Sequence, residues 1–280
     1  MLRVGLSVGN AITDTKALRA IKQARIDAVE LAFADYRPFE ALDFQTVKKQ
    51  VSGHDIVLWS MHLPYAWVDP ASLDADLRKF SYDQFMTLIR KGTDIGIDKF
   101  VVHPSSEPNY EQERAEKLKR AAQFFHDLAE AAAPYGATIA IEDLPRTCLG
   151  NCSEEILYLL DANDKLRACF DTNHLLGENV LEFIKKVGNK ILTIHVSDYD
   201  FLNERHWLPG EGDNDWLGIY SALRDVGYEG VWLYELELKP RDTICRRDLT
   251  YADFYSNAEQ IMRGETPTAI GKRVEGLTAD

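Results

Sequence analysis

The chain has 280 residues and a formal net charge of −13, from 45 acidic and 32 basic side chains. Hydrophobic residues make up 45% of the sequence, enough for one barrel-sized domain or two smaller ones. The longest Lys/Arg runs are pairs, which argues against a broad phosphate-binding face. No stretch approaches the roughly 18 apolar residues of a membrane span, and from the pattern of the first residues we expect no secretion signal. We therefore expect a cytoplasmic protein with no membrane segment.

Short strand-like runs alternate with longer helix-like runs from one end of the chain to the other. Most strand candidates are continuous apolar runs, as expected for parallel strands covered on both faces. Between them, apolar residues recur at helical spacing, most clearly over 111–136, where Pro134 and Gly136 end the pattern. The predicted strands are residues 2–8, 27–33, 55–62, 99–104, 138–143, 166–171, 191–198 and 230–238.

Eight βα units in about 260 residues match the size and rhythm of a TIM barrel. The sequence therefore predicts an α/β fold, a single (β/α)8 barrel over residues 1–263 with its active site at the C-terminal face of the strands. An open, doubly wound sheet shares the alternation, but no GxGxxG motif follows the first strand. Residues 264–280 are predicted to form a tail that packs outside the barrel or stays loose.

A histidine or an acidic residue stands at or near the end of six consecutive predicted strands. Because the strands of a parallel barrel end on one face, these side chains should meet there. Buried carboxylates at close range are unfavourable unless they are paired or bind a cation. Mixed oxygen and nitrogen donors suit Mn²⁺, Mg²⁺, Co²⁺ or Zn²⁺. The six residues are His62, His103, Glu142, Asp171, His195 and Glu235.

Each of these residues has an ordinary structural explanation when taken alone, since strand-end histidines often line a wall and strand-end acids often cap helices. The occurrence of all six at the same end of consecutive strands favours a functional site over six unrelated structural roles. His174 follows Asp171 by three residues, and the loop "NERHWLPGEGDNDW" should carry Glu204, Arg205 and His206 over the barrel mouth. Glu30 is expected either to orient a ligand histidine or to be an ordinary strand polar residue.

The motifs "VVHP", "IED", "CFDTNH", "IHVSD", "HWLPGEG" and "YELEL" resemble those of the xylose isomerase-like TIM barrel superfamily. That group includes sugar isomerases and epimerases, inosose dehydratases and endonuclease IV-type DNA repair enzymes. The resemblance covers strands two to eight. In the ketose epimerase branch it implies one divalent metal, with Glu142 and Glu235 also acting as the acid/base pair. The implied metal ligands are Glu142, Asp171, His195 and Glu235, and the implied substrate contacts are His62, His103, His174, His206 and Arg205.

The resemblance favours an isomerase or epimerase of a small sugar or polyol in carbohydrate metabolism. Proton transfer beside a carbonyl would proceed through an enediolate. Tagatose-type epimerases carry an arginine where this chain has His206. A dehydratase of an inosose or a shikimate-like keto-polyol needs the same groups, and a non-catalytic sugar-binding barrel is a further alternative. A homo-oligomer that covers the barrel mouth is consistent with the resemblance.

The endonuclease IV branch binds more than one metal, so a multi-zinc phosphoesterase is also an alternative. Its loops differ from the segments "IEDLPRTCLGN" and "HPSSEPNY" found here, and the chain lacks evident basic loops for prying open a duplex. Nucleic acid is therefore not the expected partner. The extra ligands implied by that branch are His62, His103, His174, Glu204 and His206, with Glu204 in place of an aspartate.

Overall fold

The protein is a nearly closed barrel of eight parallel strands surrounded by helices. The computed structural model describes residues 2–279; residue 1 of the predicted barrel and residue 280 of the predicted tail lie outside the described residues. The strands are β1 (Arg3–Val8), β2 (Ala28–Ala32), β3 (Val57–His62), β4 (Lys99–Val102), β5 (Thr138–Glu142), β6 (Arg167–Asp171), β7 (Ile191–His195) and β8 (Val231–Tyr234).

The strands are hydrogen-bonded in the order β7-β6-β5-β4-β3-β2-β1-β8. The ring closes between β8 and the residue after β7, where the Val196 amide donates to the Leu233 carbonyl at 2.8 Å. The predicted (β/α)8 fold is therefore confirmed. The helices that cover the barrel are α1 (Thr15–Gln23), α2 (Tyr36–Ala41), α3 (Phe44–Gly53), α4 (Ala75–Asp94), α5 (Glu111–Ala132), α6 (Ser153–Leu160), α7 (Val180–Val187), α8 (Trp216–Asp225) and α9 (Tyr251–Met262).

Several strands are shorter than the sequence predicts. β3 begins at Val57 rather than at residue 55, and β7 ends at His195 rather than at residue 198. β8 ends at Tyr234 rather than at residue 238. His195 and Glu235, expected inside their strands, consequently stand at the strand ends with the other polar residues.

The alternation of side chains along a strand explains why these polar groups point into the barrel. Two small clusters of apolar residues fill the barrel interior, one around Val231 and one around Val101. A residue two positions after an inward-facing residue faces inward again, one layer nearer the mouth. Seven polar residues follow a buried residue in this way, in the pairs Ala28 and Glu30, Ser60 and His62, Val101 and His103, Ala140 and Glu142, Cys169 and Asp171, Thr193 and His195, and Leu233 and Glu235.

The larger hydrophobic core lies between the sheet and the helices. Phe170 on β6 stacks against Phe183 on α7 with 5.3 Å between ring centroids, and both side chains are fully buried. Burying aromatic area of this kind is the main favourable contribution to holding helices on a sheet. Within residues 2–279, no helix combines the length and the apolar character needed to cross a membrane.

The loop between β7 and α8 is organised around the buried carboxylate of Asp198. Its Oδ2 accepts hydrogen bonds from the amides of Gly210 and Gly212 and from the Trp216 indole, each at 2.8 Å. A side chain at Gly212 would overlap this carboxylate, which explains the second glycine of "PGEG". Burial raises the pKa of Asp198, although these N–H donors oppose the rise.

Residues 264–279 run across this loop. The Gly271 amide donates to Glu211 Oε1 at 2.7 Å, and Arg273 donates to the Glu211 carbonyl at 2.8 Å. Arg273 also forms a bidentate pair with Asp213 at 2.6 and 2.8 Å. A two-stranded ribbon of β9 (Ile244–Cys245) and β10 (Lys272–Arg273) attaches the tail to the segment after β8.

Replacing Asp198 with Asn should destabilise the protein by about 2 kcal/mol, because an amide cannot accept all these hydrogen bonds and buried donors would lose their partner. The matched control is Asp213→Asn, which removes a half-exposed ion pair worth less than about 1 kcal/mol. Urea unfolding followed by circular dichroism measures both changes. Equal losses in the two variants would show that Asp198 does not organise the loop.

Candidate active site

A cavity of about 280 Å³ opens at the carboxyl ends of the strands. Its walls include both predicted catalytic glutamates and four of the predicted binding residues: Glu142, Glu235, His103, His174, Glu204 and His206. A larger groove of about 600 Å³ lies on the outer helices around Tyr82, His126 and Tyr158, away from the strand ends. Six of the predicted polar residues thus line the smaller cavity, whereas Asp171 and His195 are buried in contact with its glutamates.

Four residues form the central cluster: Glu142, Asp171, His195 and Glu235. One donor atom from each lies within 4.8 Å of the others. His195 Nδ1 is 2.7 Å from Glu142 Oε1, 3.1 Å from Glu235 Oε2 and 3.9 Å from Asp171 Oδ2. Asp171 Oδ2 is buried and has no hydrogen-bond partner.

The central cluster holds three carboxylates and one imidazole. Burial, together with the charges of Glu235 and Glu142, raises the pKa of Asp171 well above its usual range. Burial also works against ionisation of Glu142, yet His195, His103 and His62 hold the pKa of Glu142 well below its usual range. Burial disfavours the charged form of His195, but its acidic neighbours raise its pKa well above the ordinary value. A proton on His195 is thus the cation that the protein itself supplies to three carboxylates.

This donor set fits a divalent metal. Three carboxylates and one imidazole at this spacing match the mixed ligands of Mn²⁺, Mg²⁺, Co²⁺ or Zn²⁺. Asp171 Oδ2 is buried and receives no hydrogen bond from the protein, as expected for an oxygen that binds a metal instead.

Glu30 contacts the side of His195 that faces away from the carboxylates. Glu30 Oε1 accepts a hydrogen bond from His195 Nε2 at 3.0 Å, and Glu30 Oε2 accepts one from Ser60 at 2.7 Å. All three side chains are fully buried. A hydrogen bond at Nε2 fixes the ring and directs Nδ1 toward Glu142 and Glu235, as outer partners of metal-binding histidines do.

His62 and His103 hold the second oxygen of Glu142. Their Nε2 atoms lie 3.0 and 3.2 Å from Glu142 Oε2. Burial opposes protonation of His62, but Glu142 outweighs it and raises the pKa of His62 to about 9. Burial lowers the pKa of His103, whose ring stacks on Tyr65 with 4.5 Å between centroids.

A second group, the outer cluster, consists of His174, Glu204 and His206, with donor atoms within 4.8 Å of one another. His174 Nδ1 donates to the Asp143 carbonyl at 2.7 Å, and His206 Nδ1 donates to the Glu235 carbonyl at 3.1 Å. Both Nε2 atoms are therefore available as acceptors or ligands. Burial lowers the pKa of His206, which favours its neutral form.

The structure does not bring the Arg205 side chain to the cavity. Its guanidinium donates to Asp200 Oδ2 at 2.9 Å and to the Thr278 carbonyl at 2.6 Å. The backbone amides of Arg205 and His206 donate to Asn173 Oδ1 at 2.9 and 3.3 Å. Arg205 therefore holds the loop that carries Glu204 and His206, whereas sequence analysis assigned it to substrate.

Sequence analysis missed Arg146, which lines the cavity. Its guanidinium pairs with Glu107 at 2.9 Å and lies 3.4 Å from Glu204 Oε2. Tyr65 was missed as well. Both residues lie in loops, several positions after the end of a strand, so the pattern of polar residues at strand ends does not identify them. The signal for Arg146 in the sequence is its place in the segment "IEDLPRTCLGN".

The barrel and the acidic and imidazole groups at its mouth define a TIM barrel with a candidate metal centre. The chain belongs to the xylose isomerase-like TIM barrel family, whose model matches residues 18–253. The resemblance seen in the sequence motifs is therefore confirmed.

The relatives of this chain include proteins named as an isomerase and as an endonuclease. The chain is 30% identical over 135 residues to the inosose isomerase of Bacillus velezensis, covering 44% of this chain and 48% of that protein. It is 26% identical over 196 residues to a protein named "Probable endonuclease 4" from Thermoplasma acidophilum, covering 64% of this chain and 66% of the relative. The chain thus spans less than two thirds of the length of each of these relatives.

A solved structure described as a D-tagatose 3-epimerase-like protein superposes with a TM-score of 0.76. The superposition covers 94% of this chain and 96% of that one, at 21% sequence identity. At this identity, the likeness establishes the shared fold.

Arg205→Ala should loosen the loop over the cavity, because the tail and Asp200 would lose their shared donor. Amide hydrogen exchange in residues 199–206 should become at least about tenfold faster, corresponding to about 1.4 kcal/mol of easier local opening. Mass spectrometry of peptides measures this rate. Arg263→Ala is the control, since the exposed Arg263 side chain pairs with Glu259 on α9, away from this loop. Unchanged exchange in Arg205→Ala would contradict the assigned role.

Proposed function

We propose that the protein is a divalent-metal-dependent isomerase or epimerase of a sugar or polyol, acting by proton transfer next to a carbonyl through an enediolate. The observation that carries this proposal is the convergence of Glu142 and Glu235 on one nitrogen of His195, at 2.7 and 3.1 Å, in the wall of one cavity. The inosose isomerase relative supports the same reaction class.

In this proposal, Glu142, Asp171, His195 and Glu235 hold the metal. When bound, a divalent cation polarises a carbonyl and its neighbouring hydroxyl as a Lewis acid. Glu235 is the more accessible glutamate, with about 24% of its side chain exposed toward the cavity, and it takes the proton from the substrate carbon. His195 lowers the pKa of Glu235 despite burial, which keeps this carboxylate ionised.

Glu142 acts as the opposite acid or base. A proton arriving at its Oε2 lies within hydrogen-bond distance of His62 and His103, which can stabilise either protonation state. The cavity, at about 280 Å³, is at the small end of ligand sites and suits a single sugar. His103, His174 and His206 would supply hydrogen bonds to its hydroxyl groups.

Glu142→Gln and Glu235→Gln should each slow hydrogen exchange at the substrate carbon by at least about 100-fold, because an amide cannot carry the proton. Deuterium uptake from solvent into a panel of ketoses and inososes, followed by NMR, measures the rate. His54→Ala is the control, because His54 ends α3 and contacts the Gln50 carbonyl. Wild-type exchange rates in both Gln variants would exclude this acid/base pair.

Protein purified without chelator should carry about one equivalent of divalent metal per chain, measured by elemental analysis. Asp171→Asn should lower the affinity, because the site loses one of its three carboxylates. Affinity should increase with pH, since a raised pKa means that His195 must release a proton before its Nδ1 can bind metal. Metal-free protein, or affinity that falls with rising pH, would count against the site.

A second candidate function is a multi-metal phosphoesterase of the endonuclease IV type, favoured by the spacing of the outer cluster. It requires two or three equivalents of zinc and cleavage of DNA phosphoesters. A dehydratase would use the same central cluster, and its product, a keto-polyol that has lost water, separates it from an epimerase in the same NMR panel.

A further inference from the structure

We propose that Arg146 supplies the positive charge of the outer cluster, so that the protein binds a divalent metal at the central cluster alone. This inference rests on the proposed metal dependence, and it makes Arg146 the residue that limits the number of metals. The outer cluster of His174, Glu204 and His206 is then left to contact substrate.

Arg146 and the outer cluster compete for a single oxygen atom. Glu204 Oε2 lies 3.6 Å from His174 Nε2 and 3.4 Å from Arg146 Nη1. Glu204 is the only carboxylate of this cluster, and the two imidazoles bring no negative charge. A divalent cation there would need the oxygen that already faces the guanidinium, and it would lie close to a fixed positive charge in a partly buried site.

The Arg146 guanidinium is held in place from several sides. Its Nε and Nη2 donate to Glu107 Oε2 at 3.1 and 2.9 Å, and its Nη1 donates to Asn203 Oδ1 at 2.8 Å. Glu107 in turn accepts hydrogen bonds from the amide and hydroxyl of Thr147, each at 3.1 Å. Arg146 cannot move away from Glu204 without breaking these contacts.

The backbone at Arg146 is constrained as well. Arg146 has a φ of +52° and His206, across the cavity, has a φ of +53°. Non-glycine residues adopt this left-handed conformation at a cost, which persists where surrounding contacts enforce it and which clusters at functional sites. The Asn151 side chain donates to the Arg146 carbonyl at 2.7 Å and helps to fix this conformation.

The two clusters differ in the number of carboxylates and in the partners that these carboxylates already have. The central cluster has three carboxylates and a buried Asp171 oxygen without a partner, whereas the outer cluster has one carboxylate that already faces a guanidinium. A cation added to the protein should therefore bind at the central cluster first, and Arg146 should weaken binding at the outer cluster.

The test is a Zn²⁺ titration of metal-stripped protein by equilibrium dialysis with elemental analysis. Wild type should bind one equivalent tightly. Arg146→Gln should gain a second equivalent, bound at least about tenfold more tightly than any second equivalent in wild type. Arg146→Lys, which keeps the charge, and Arg263→Gln, an exposed control, should resemble wild type. Adding His206→Ala to Arg146→Gln should remove the gained equivalent.

Two results would overturn the inference: comparable binding of two or more equivalents by wild type, or no gained equivalent in Arg146→Gln while its first equivalent is retained. The stoichiometry also separates this inference from the proposed function. Failure to bind any zinc in wild type would instead overturn the proposed metal dependence. Circular dichroism confirms that each variant is folded before its titration is interpreted.

Discussion

The buried carboxylates of Glu142 and Asp171 and the partly exposed one of Glu235 surround one nitrogen of His195, and this excess of negative charge is the constraint on which the rest of the site depends. Each acid would be unfavourable at this depth without a cation nearby. The surrounding residues contact these groups from outside. Glu30 accepts a hydrogen bond from Nε2 of His195, and His62 and His103 lie within hydrogen-bond distance of the second oxygen of Glu142. The barrel provides the rigid frame, because its strands end at one level and bring these groups together there.

Much of this arrangement can be predicted from sequence, for a physical reason. A buried parallel strand is an apolar run, so a histidine or an acid at its end stands out. Alternation then determines the direction of the side chain. His195 and Glu235 show the limit of the method: their strands end earlier than the apolar pattern suggests, and yet both side chains meet in the central cluster.

The loops are less predictable, because their geometry depends on contacts between distant parts of the chain. Arg205 was predicted to contact substrate, whereas its guanidinium binds Asp200 and the carbonyl of Thr278, 73 residues away. Arg146, in contrast, was not predicted to belong to the site. Its importance comes from Glu107, Asn203 and Glu204 on two other loops, and no local pattern brings these residues together.

The tail across the β7–α8 loop has a consequence for how such a protein diverges. The central cluster is built on strands, whereas Glu204 and His206 depend on a loop held by Asn173, by Asp198 and by residues 271–279. Mutations in the tail can therefore alter the rim of the cavity while leaving the central cluster intact. In a gene lineage, drift in this terminal segment would be a route to a new substrate that keeps the ancestral chemistry.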